Sequence, residues 1–461
     1  MGRTGLSLAA LFGLAATPAL AQMEAERWTF GGIVRQTFSD NLFLTSPSTP
    51  SEAISGATLN LTYSRIDRHS SFSAGGWAGG SLFNRFDVFN SAQYGLGVFG
   101  QVSVTPRARL RLGASYADGL NLEAFFASRI ATPQLDVKSG SLSAGFTFDF
   151  TPSTSAHAVF DGSGIRYRSS LIFDSAKLPG DNLTPADVLA PLRAGPSNPD
   201  TPVPPDSSLQ ALGLLSTEEL RLLSLDYRTW RAGTGLVHEF SPETRVTLDF
   251  GYRRTYVTPQ TLAEGEQLEG QAALREVLDD TANLSLSYGY QESRFQLRFR
   301  THAFTLQGVK QFSQKVKADA SIGVSYLDGP VGTSNLTFIG GAGFSARFKR
   351  TLLMARYTRT RYQGLINGDT QVSDVVFASL GHTLTRQVFV SAYGLYSDGQ
   401  DELSPLYSYE RTVLGASLSA RIKKRGSAGV SYSFLRFNSG GLPAAESSVI
   451  SLFFGYSRTE K

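Results

Sequence analysis

Hydrophobic and polar residues alternate along the last segment of the chain, from Glu446 to Lys461. One parity carries large apolar or aromatic side chains, at Ile450, Leu452, Phe454 and Tyr456. The other parity carries small or polar side chains apart from Phe453. A period of two predicts a β-strand with two different faces. Such a strand is typical of an outer-membrane barrel, with lipid outside and water inside; a strand of a soluble sandwich is the alternative.

The same alternation recurs upstream, for example in Ala57–Ser64 and Val316–Tyr326. Short turns alternate with longer loops, and three of the turns carry a Ser/Thr-Pro pair: Thr105-Pro106, Thr151-Pro152 and Ser241-Pro242. Proline fixes φ and donates no hydrogen bond, so it suits a tight turn. The pattern predicts an all-β fold, a transmembrane antiparallel up-and-down β-barrel of about 18 strands (16–20) with long extracellular loops. Pairing the last strand with the first, near Trp28, leaves no sheet edge for lipid to meet.

Two longer segments interrupt this rhythm, and strand parity predicts that both lie on the extracellular side. Residues 169–220 are rich in proline and contain two short helix starts, so they are predicted to form a long extracellular or plug loop. Residues 259–280 are predicted to form a helical loop, with the helix around Glu264–Leu278. A loop of this length is usually functional or disordered.

The first 21 residues predict a secretory signal peptide, with a basic start at Arg3, an apolar run from Leu6 to Leu14, and small residues before Gln22. Residues 22–461 then form the barrel, in the outer membrane of a Gram-negative bacterium. Cysteine is absent, which excludes disulfides and thiol chemistry. The net charge of +4, from 43 basic and 39 acidic residues, does not indicate nucleic-acid binding.

No pattern of catalytic or metal-ligating residues is present in the sequence. The five histidines are scattered over different predicted strands and turns, and neither HExxH nor GxSxG occurs. The glycine run Gly340–Gly343 lies within a strand pattern and precedes no helix, so it does not predict a phosphate loop. The sequence therefore predicts a protein that is not an enzyme, with no cofactor and no bound metal.

Arginine on the parity expected to face the lumen is the strongest chemical signal. The candidate lumen-lining residues are Arg107, Arg109, Arg111, Arg245, Arg253, Arg294, Arg298, Arg300, Arg347 and Arg356. One interpretation is a basic lumen that guides an anionic solute, because like charges along a low-dielectric channel focus its field. The other is ordinary filling of the lumen, with each arginine paired to a carboxylate such as Asp149, Asp249 or Asp319.

The run Asp40-Asn41-Leu42-Phe43-Leu44, followed by Leu59–Tyr63, resembles the first hairpin of outer-membrane barrels found with exopolysaccharide biosynthesis and export systems. This resemblance implies a non-enzymatic pore for a polysaccharide, working with periplasmic export components. The barrel itself implies outer-membrane lipid and the barrel-assembly machinery as partners. The alternatives are a general or solute-specific diffusion porin, an enzyme with its site at the outer rim, and a closed adhesive barrel.

Overall fold

The computed structural model describes residues 25–40, 51–84, 90–120, 135–169, 226–258, 264–294, 298–330, 334–363, 370–401, 408–423, 425–439 and 444–460. The strands in chain order are β1 (Ala25–Ser39), β2 (Glu52–Ile66), β3 (Ser70–Phe83), β4 (Ser91–Thr105), β5 (Ala108–Leu120), β6 (Leu135–Thr151), β7 (Thr154–Ser169), β8 (Asp226–Glu239), β9 (Thr244–Thr258), β10 (Gly265–Asp279), β11 (Ala282–Arg294), β12 (Arg298–Ser313), β13 (Val316–Asp328), β14 (Asn335–Phe348), β15 (Thr351–Gln363), β16 (Thr370–Thr383), β17 (Val388–Asp401), β18 (Tyr409–Ile422), β19 (Gly426–Ser439) and β20 (Ala445–Glu460). No helix among these residues is long and apolar enough to cross a membrane.

The strands form one closed antiparallel sheet. Each strand pairs with the next one in the chain, and β20 pairs with β1 from Trp28 opposite Glu460 to Ser39 opposite Val449. Because this last pairing closes the barrel, its backbone groups are bonded within the sheet, as a hydrocarbon environment requires. The all-β barrel fold predicted from the alternation is thus confirmed.

The outward face is identified by the exposed apolar side chains, which share one parity from strand to strand. Across β9 to β13, Val246, Leu274, Leu286, Leu306 and Ile322 lie opposite one another in a continuous row. Ile322 is 66% exposed and Leu286 is 52% exposed, although both are strongly apolar. An apolar band of this kind is stable against lipid and unstable against water. The intervening residues face the lumen.

The short turns lie at one end of the barrel, here called the turn end, and the longer connections lie at the loop end. In the three Ser/Thr-Pro turns the hydroxyl oxygen of Thr105, Thr151 or Ser241 accepts the N–H two residues later, at 3.1 to 3.3 Å. In the β2–β3 turn, Asp67 accepts hydrogen bonds from the Ser70 side chain and from the backbone N–H groups of His69 and Ser70. These bonds lower the pKa of the Asp67 carboxyl.

Two expectations about the strands need correction. The barrel has twenty strands, at the upper end of the predicted range of 16–20 rather than about 18, and one of them, β10, occupies a segment that was predicted to be helical. The predicted helical loop 259–280 is mostly β10, where Leu268 and Leu274 face outward and Gln267 and Glu269 face inward. Helix-forming residues in this segment follow the period of a strand because two neighbouring strands hold it by hydrogen bonds. The predicted signal peptide 1–21 and loop 169–220 lie outside the described residues, apart from Ser169 at the end of β7.

The wall is least continuous between β14 and β15. Their pairing ends at Gly340 opposite Arg359, although both strands continue for several residues toward the loop end. The side chain of Arg361 bridges this split, donating hydrogen bonds to the Ser325 carbonyl at 2.7 Å and to the Thr337 hydroxyl at 2.6 Å. Arg361 therefore supplies donors where the backbone ladder is interrupted, which limits the cost of unpaired carbonyl groups.

Candidate functional site: the inner wall of the barrel

The inward side chains divide the wall into a charged sector and a largely neutral sector. On β5 to β10 the inward charged residues of the described chain are Arg109, Arg111, Asp149, His157, Asp161, Arg231, Glu239, Arg245, Asp249, Arg253, Glu269 and Arg275. No charged residue has the inward parity on β3, β4, β16, β19 or β20 within the residues described. A solute crossing the lumen therefore meets charges of both signs along β5 to β10 and mainly neutral side chains along the five strands just named.

Two polar contacts in the lumen join side chains that are two strands apart, over a glycine on the strand between them. His157 on β7 reaches Asp249 on β9 at 3.1 Å, across Gly235. Asp319 on β13 and Arg356 on β15 approach to 3.7 Å, across Gly343. A Cβ at either glycine would collide with one or both of the paired side chains. The missing side chain thus creates the space in which the two polar side chains meet.

Two further ion pairs complete the bridging in the charged sector. Arg231 on β8 pairs with Glu269 on β10, next to Gly251 of the intervening strand. Arg109 pairs with Asp149 on the neighbouring strand at 3.2 Å. All four side chains are about one-third exposed, between 29% and 42%, so water reaches each pair. Pairs with this exposure stabilise the fold only slightly, by about 0–1 kcal/mol, and mainly fix where the charges lie.

Aromatic rings in the neutral sector lie flat on the wall instead of projecting across the lumen. Trp77 lies against Gly95 on the facing strand, Tyr393 lies against Gly415, and Phe453 lies against Gly429. Covering an inward glycine with a cross-strand aromatic ring protects its backbone and stabilises the pair of strands. The arrangement explains the exception at Phe453 in the final strand: its ring is directed into the lumen but occupies the space above Gly429.

Two inward arginines at the turn end form no ion pair in the described wall, although Glu239 on β8 lies opposite one of them, Arg245. Arg245 on β9 and Arg275 on β10 are directly opposite each other. Within the described parts of the chain, neither guanidinium forms a hydrogen bond or an ion pair. Like charges directly opposite in a sheet destabilise it. Such a pair is tolerated where water solvates the two guanidinium groups or an anion binds between them.

The structure separates the ten predicted lumen arginines into three groups. Six have the inward parity: Arg109, Arg111, Arg245, Arg253, Arg347 and Arg356. Arg107 lies in the turn before β5. The remaining three, Arg294, Arg298 and Arg300, have the outward parity near the loop end. Whether the six inward residues act on a solute stays a prediction.

The outward placement of those three residues corrects the predicted parity of β12. Phe299, which lies between the two arginines predicted to face the lumen, itself faces inward and is only 1% exposed. The lipid parity is set by Phe304 and Leu306 further along the same strand. Arg298 and Arg300 share that parity and pair with Glu292 on β11. At the end of a strand, the alternation of apolar and polar residues does not identify the lipid face, because this part of the wall no longer faces hydrocarbon.

Sequence reasoning missed several inward polar residues, including Arg231, Glu269, Arg275 and His157, the contact partner of the predicted lumen carboxylate Asp249. A usable signal was present in β8, where Trp230 and Ala232 flank Arg231 and fix its parity as inward. Glu269 and Arg275 were missed because β10 was predicted to be helical. No group of three or more potential metal ligands occurs among the described residues.

Comparison with known proteins gives matches in structure only. No protein-family model matches the sequence, and no curated protein matches it. The siderophore receptor PirA from Pseudomonas aeruginosa has a TM-score of 0.51 and 11% identity, covering 95% of this chain and 81% of that chain. A mutant of the ferric enterobactin receptor PfeA from the same organism has a TM-score of 0.53 and 9% identity, with coverage of 95% and 81%. The FrpB iron transporter from Neisseria meningitidis has a TM-score of 0.50 and 9% identity, covering 93% and 81%.

The protein is an outer-membrane β-barrel. At identities this low, the similarity to these receptors shows the fold. The structures that share it are named as receptors and transporters rather than as enzymes. This outer-membrane barrel therefore fits the predicted location in a Gram-negative bacterium.

The predicted export of a polysaccharide is contradicted by these structural neighbours, which are siderophore receptors and an iron transporter. The alternative of a diffusion porin does not match them either. The resemblance to exopolysaccharide-associated proteins rested on a short hairpin run, and most of it, residues 41–44, lies outside the described residues. A sequence motif in the first hairpin indicates the fold of the barrel, but it carries little information about which solute crosses the lumen.

Proposed function

We propose that this barrel is an uptake receptor that binds an anionic small molecule on its inner wall, and that ferric siderophore complexes are the first ligand class to test. The observation that carries the proposal is the facing pair Arg245 and Arg275, because neither guanidinium forms an ion pair in the described wall, although the inward Glu239 lies opposite Arg245 on β8. A guanidinium group is always charged and donates paired hydrogen bonds to oxygen anions.

The structural neighbours support the same ligand class, because one of the PfeA structures is described as a complex with enterobactin. The fold similarity alone assigns no ligand to this chain, so the support lies in the agreement of two lines of reasoning. The basic charges are directed into the lumen, and proteins with a similar fold are named as a siderophore receptor and an iron transporter. An anionic chelate would gain electrostatic attraction at the turn end of the charged sector.

The test is equilibrium binding to the full chain in lipid nanodiscs, with ferric enterobactin as the probe and tryptophan fluorescence as the signal. Replacing both Arg245→Gln and Arg275→Gln should raise Kd about tenfold, equivalent to about 1.4 kcal/mol. Binding of an uncharged ferric hydroxamate complex should not change in the same variant. Arg166→Gln is the matched control because its side chain pairs with Asp226 on the outward face.

Two results would contradict the proposal. One is the absence of saturable binding of the anionic chelate to the unmodified protein. The other is an equal loss of binding in the Arg166→Gln control, which would show a general effect of net charge instead of recognition on the inner wall.

A further inference from the structure

A recess opens in the inner wall at the turn end, away from the charged sector β5 to β10. It has a volume of about 810 Å³ and is bordered by β16 to β20 together with β1 and β2. It lies away from the facing arginines of β9 and β10, because its lining residues come from other strands. The recess is therefore a separate feature of the lumen.

Small inward residues create the recess. On β1, a Cβ at Gly31 would lie 2.7 Å from the Asn60 side-chain oxygen and 3.1 Å from the backbone oxygen of Tyr456. On β20, a Cβ at Gly455 would lie 2.9 Å from the Ser427 hydroxyl. Larger residues at these positions would fill the space, so the sequence of this wall keeps it open.

The charged side chains that line the recess are all basic. They are Arg386 from the β16–β17 turn, Arg421 from β18 and Arg425 from the β18–β19 turn. No aspartate or glutamate contributes to the lining. The acidic residue at the end of β20, Glu460, has the outward parity and pairs with Arg458. The recess is thus positively charged without an internal counter-charge.

The three guanidinium groups are available for a ligand. None of them forms a side-chain hydrogen bond or ion pair with any residue in the described portion of the chain. Their backbones are nevertheless held in place: the Arg421 N–H donates to the Gln387 carbonyl at 2.7 Å, and the Ser457 N–H donates to the Arg425 carbonyl at 2.9 Å. Fixed backbone positions lower the entropic cost of gathering several donors around one ligand.

The remaining lining groups suit the same kind of ligand. Hydroxyl and amide donors surround the arginines, at Asn60, Thr383, Ser419, Ser427, Ser457 and Thr459. Arginine matches the planar geometry of carboxylate and phosphate oxygens with two parallel hydrogen bonds. Neutral donors nearby add hydrogen bonds without reducing the positive potential.

We propose that this recess binds a small molecule bearing carboxylate or phosphate groups, with Arg421 contacting it from the wall and Arg386 and Arg425 from the rim. Such a site would hold an anion at the periplasmic mouth of the lumen. This role deepens the proposed function and rests on it, whereas the binding itself depends only on the recess.

The test is calorimetric titration of the full chain in nanodiscs with citrate and, separately, with inorganic phosphate. Saturable binding of at least one probe is expected, and the preferred probe distinguishes carboxylate from phosphate recognition. Arg421→Gln should weaken that binding about tenfold or more, while Arg421→Lys, which keeps the charge but loses the paired donors, should weaken it less. Lys315→Gln, which removes a positive charge at the β12–β13 turn, is the matched control and should leave Kd unchanged.

Two measurements establish that each variant is folded. One is circular dichroism, and the other is the difference in electrophoretic mobility between unheated and heated samples of the barrel. Absence of binding by both probes, or equal binding by the unmodified protein and Arg421→Gln, would overturn the proposal. The two functions fail separately: citrate or phosphate binding without ferric enterobactin binding would refute only the iron-chelate receptor, and the reverse result would refute only the recess.

Discussion

Replacing Leu286 with arginine should destabilise the barrel by about 2–4 kcal/mol, the cost of a cation on the lipid face near the midplane of a bilayer. Leu286 lies near the middle of β11, between Leu274 and Leu306 on the neighbouring strands. Its side chain is 52% exposed in the isolated protein, and lipid covers that surface in the membrane. The free energy of unfolding is measured by urea titration of the protein folded into lipid vesicles.

Ser287→Arg is the matched control because it places the same side chain one residue further along, on the inward face. Its neighbours across the sheet are Ala273 and Thr305, and the lumen leaves room for hydration. The free energy of unfolding should change by less than about 1 kcal/mol, since water solvates the new charge. Equal destabilisation by the two substitutions would contradict the assignment of the two faces.

Glu292→Gln should lower the free energy of unfolding by about 2–3 kcal/mol. Glu292 is on the outward face near the loop end, and its side chain is 6% exposed. Its carboxylate oxygens lie 2.6 Å from the Nε of Arg294, 2.9 Å from the Nε of Arg298 and 3.5 Å from the Nε of Arg300. Removing its charge leaves the three arginines without a neutralising carboxylate. Loss of one partner from a fully buried ion pair costs about 3–5 kcal/mol. The estimate is smaller because these arginines are between 39% and 51% exposed.

Asp328→Asn tests whether burial of the central carboxylate causes this effect. Asp328 also contacts Arg300, but at 3.6 Å, and its side chain is 48% exposed. Its removal should change the free energy of unfolding by less than about 0.5 kcal/mol. If Glu292→Gln and Asp328→Asn changed the free energy of unfolding in vesicles by the same small amount, Glu292 would not be the residue that stabilises the outward arginines.

The sequence predicted the barrel well wherever a strand crosses the full apolar layer. In β20, side chains from Ile450 to Tyr456 alternate except at Phe453, and the structure places this strand next to β1 as expected. Failure came where other preferences competed with the alternation. In β10, helix-forming residues such as Glu269 and Ala272 obscured a strand that is held by its neighbours.

The inner wall was less predictable because its chemistry depends on which strands are neighbours. The inward parity of Arg231 follows from the sequence of β8, but its partner Glu269 lies on β10 and was hidden in the misassigned helix. The contact of His157 with Asp249 also depends on the absence of a side chain at Gly235. Local periodicity identifies the face of a residue, whereas register between strands determines its partner.

The most direct measurement of the central claim is the environment of single spin labels along β20. The chain has no cysteine, so one cysteine introduced at each position from 449 to 454 gives a unique attachment site. Labels at 450, 452 and 454 should be accessible to oxygen dissolved in lipid, and labels at 449, 451 and 453 should be accessible to a water-soluble nickel complex. Uniform accessibility to the nickel complex, with no alternation, would contradict a closed barrel that has lipid on one face and a water-filled lumen on the other.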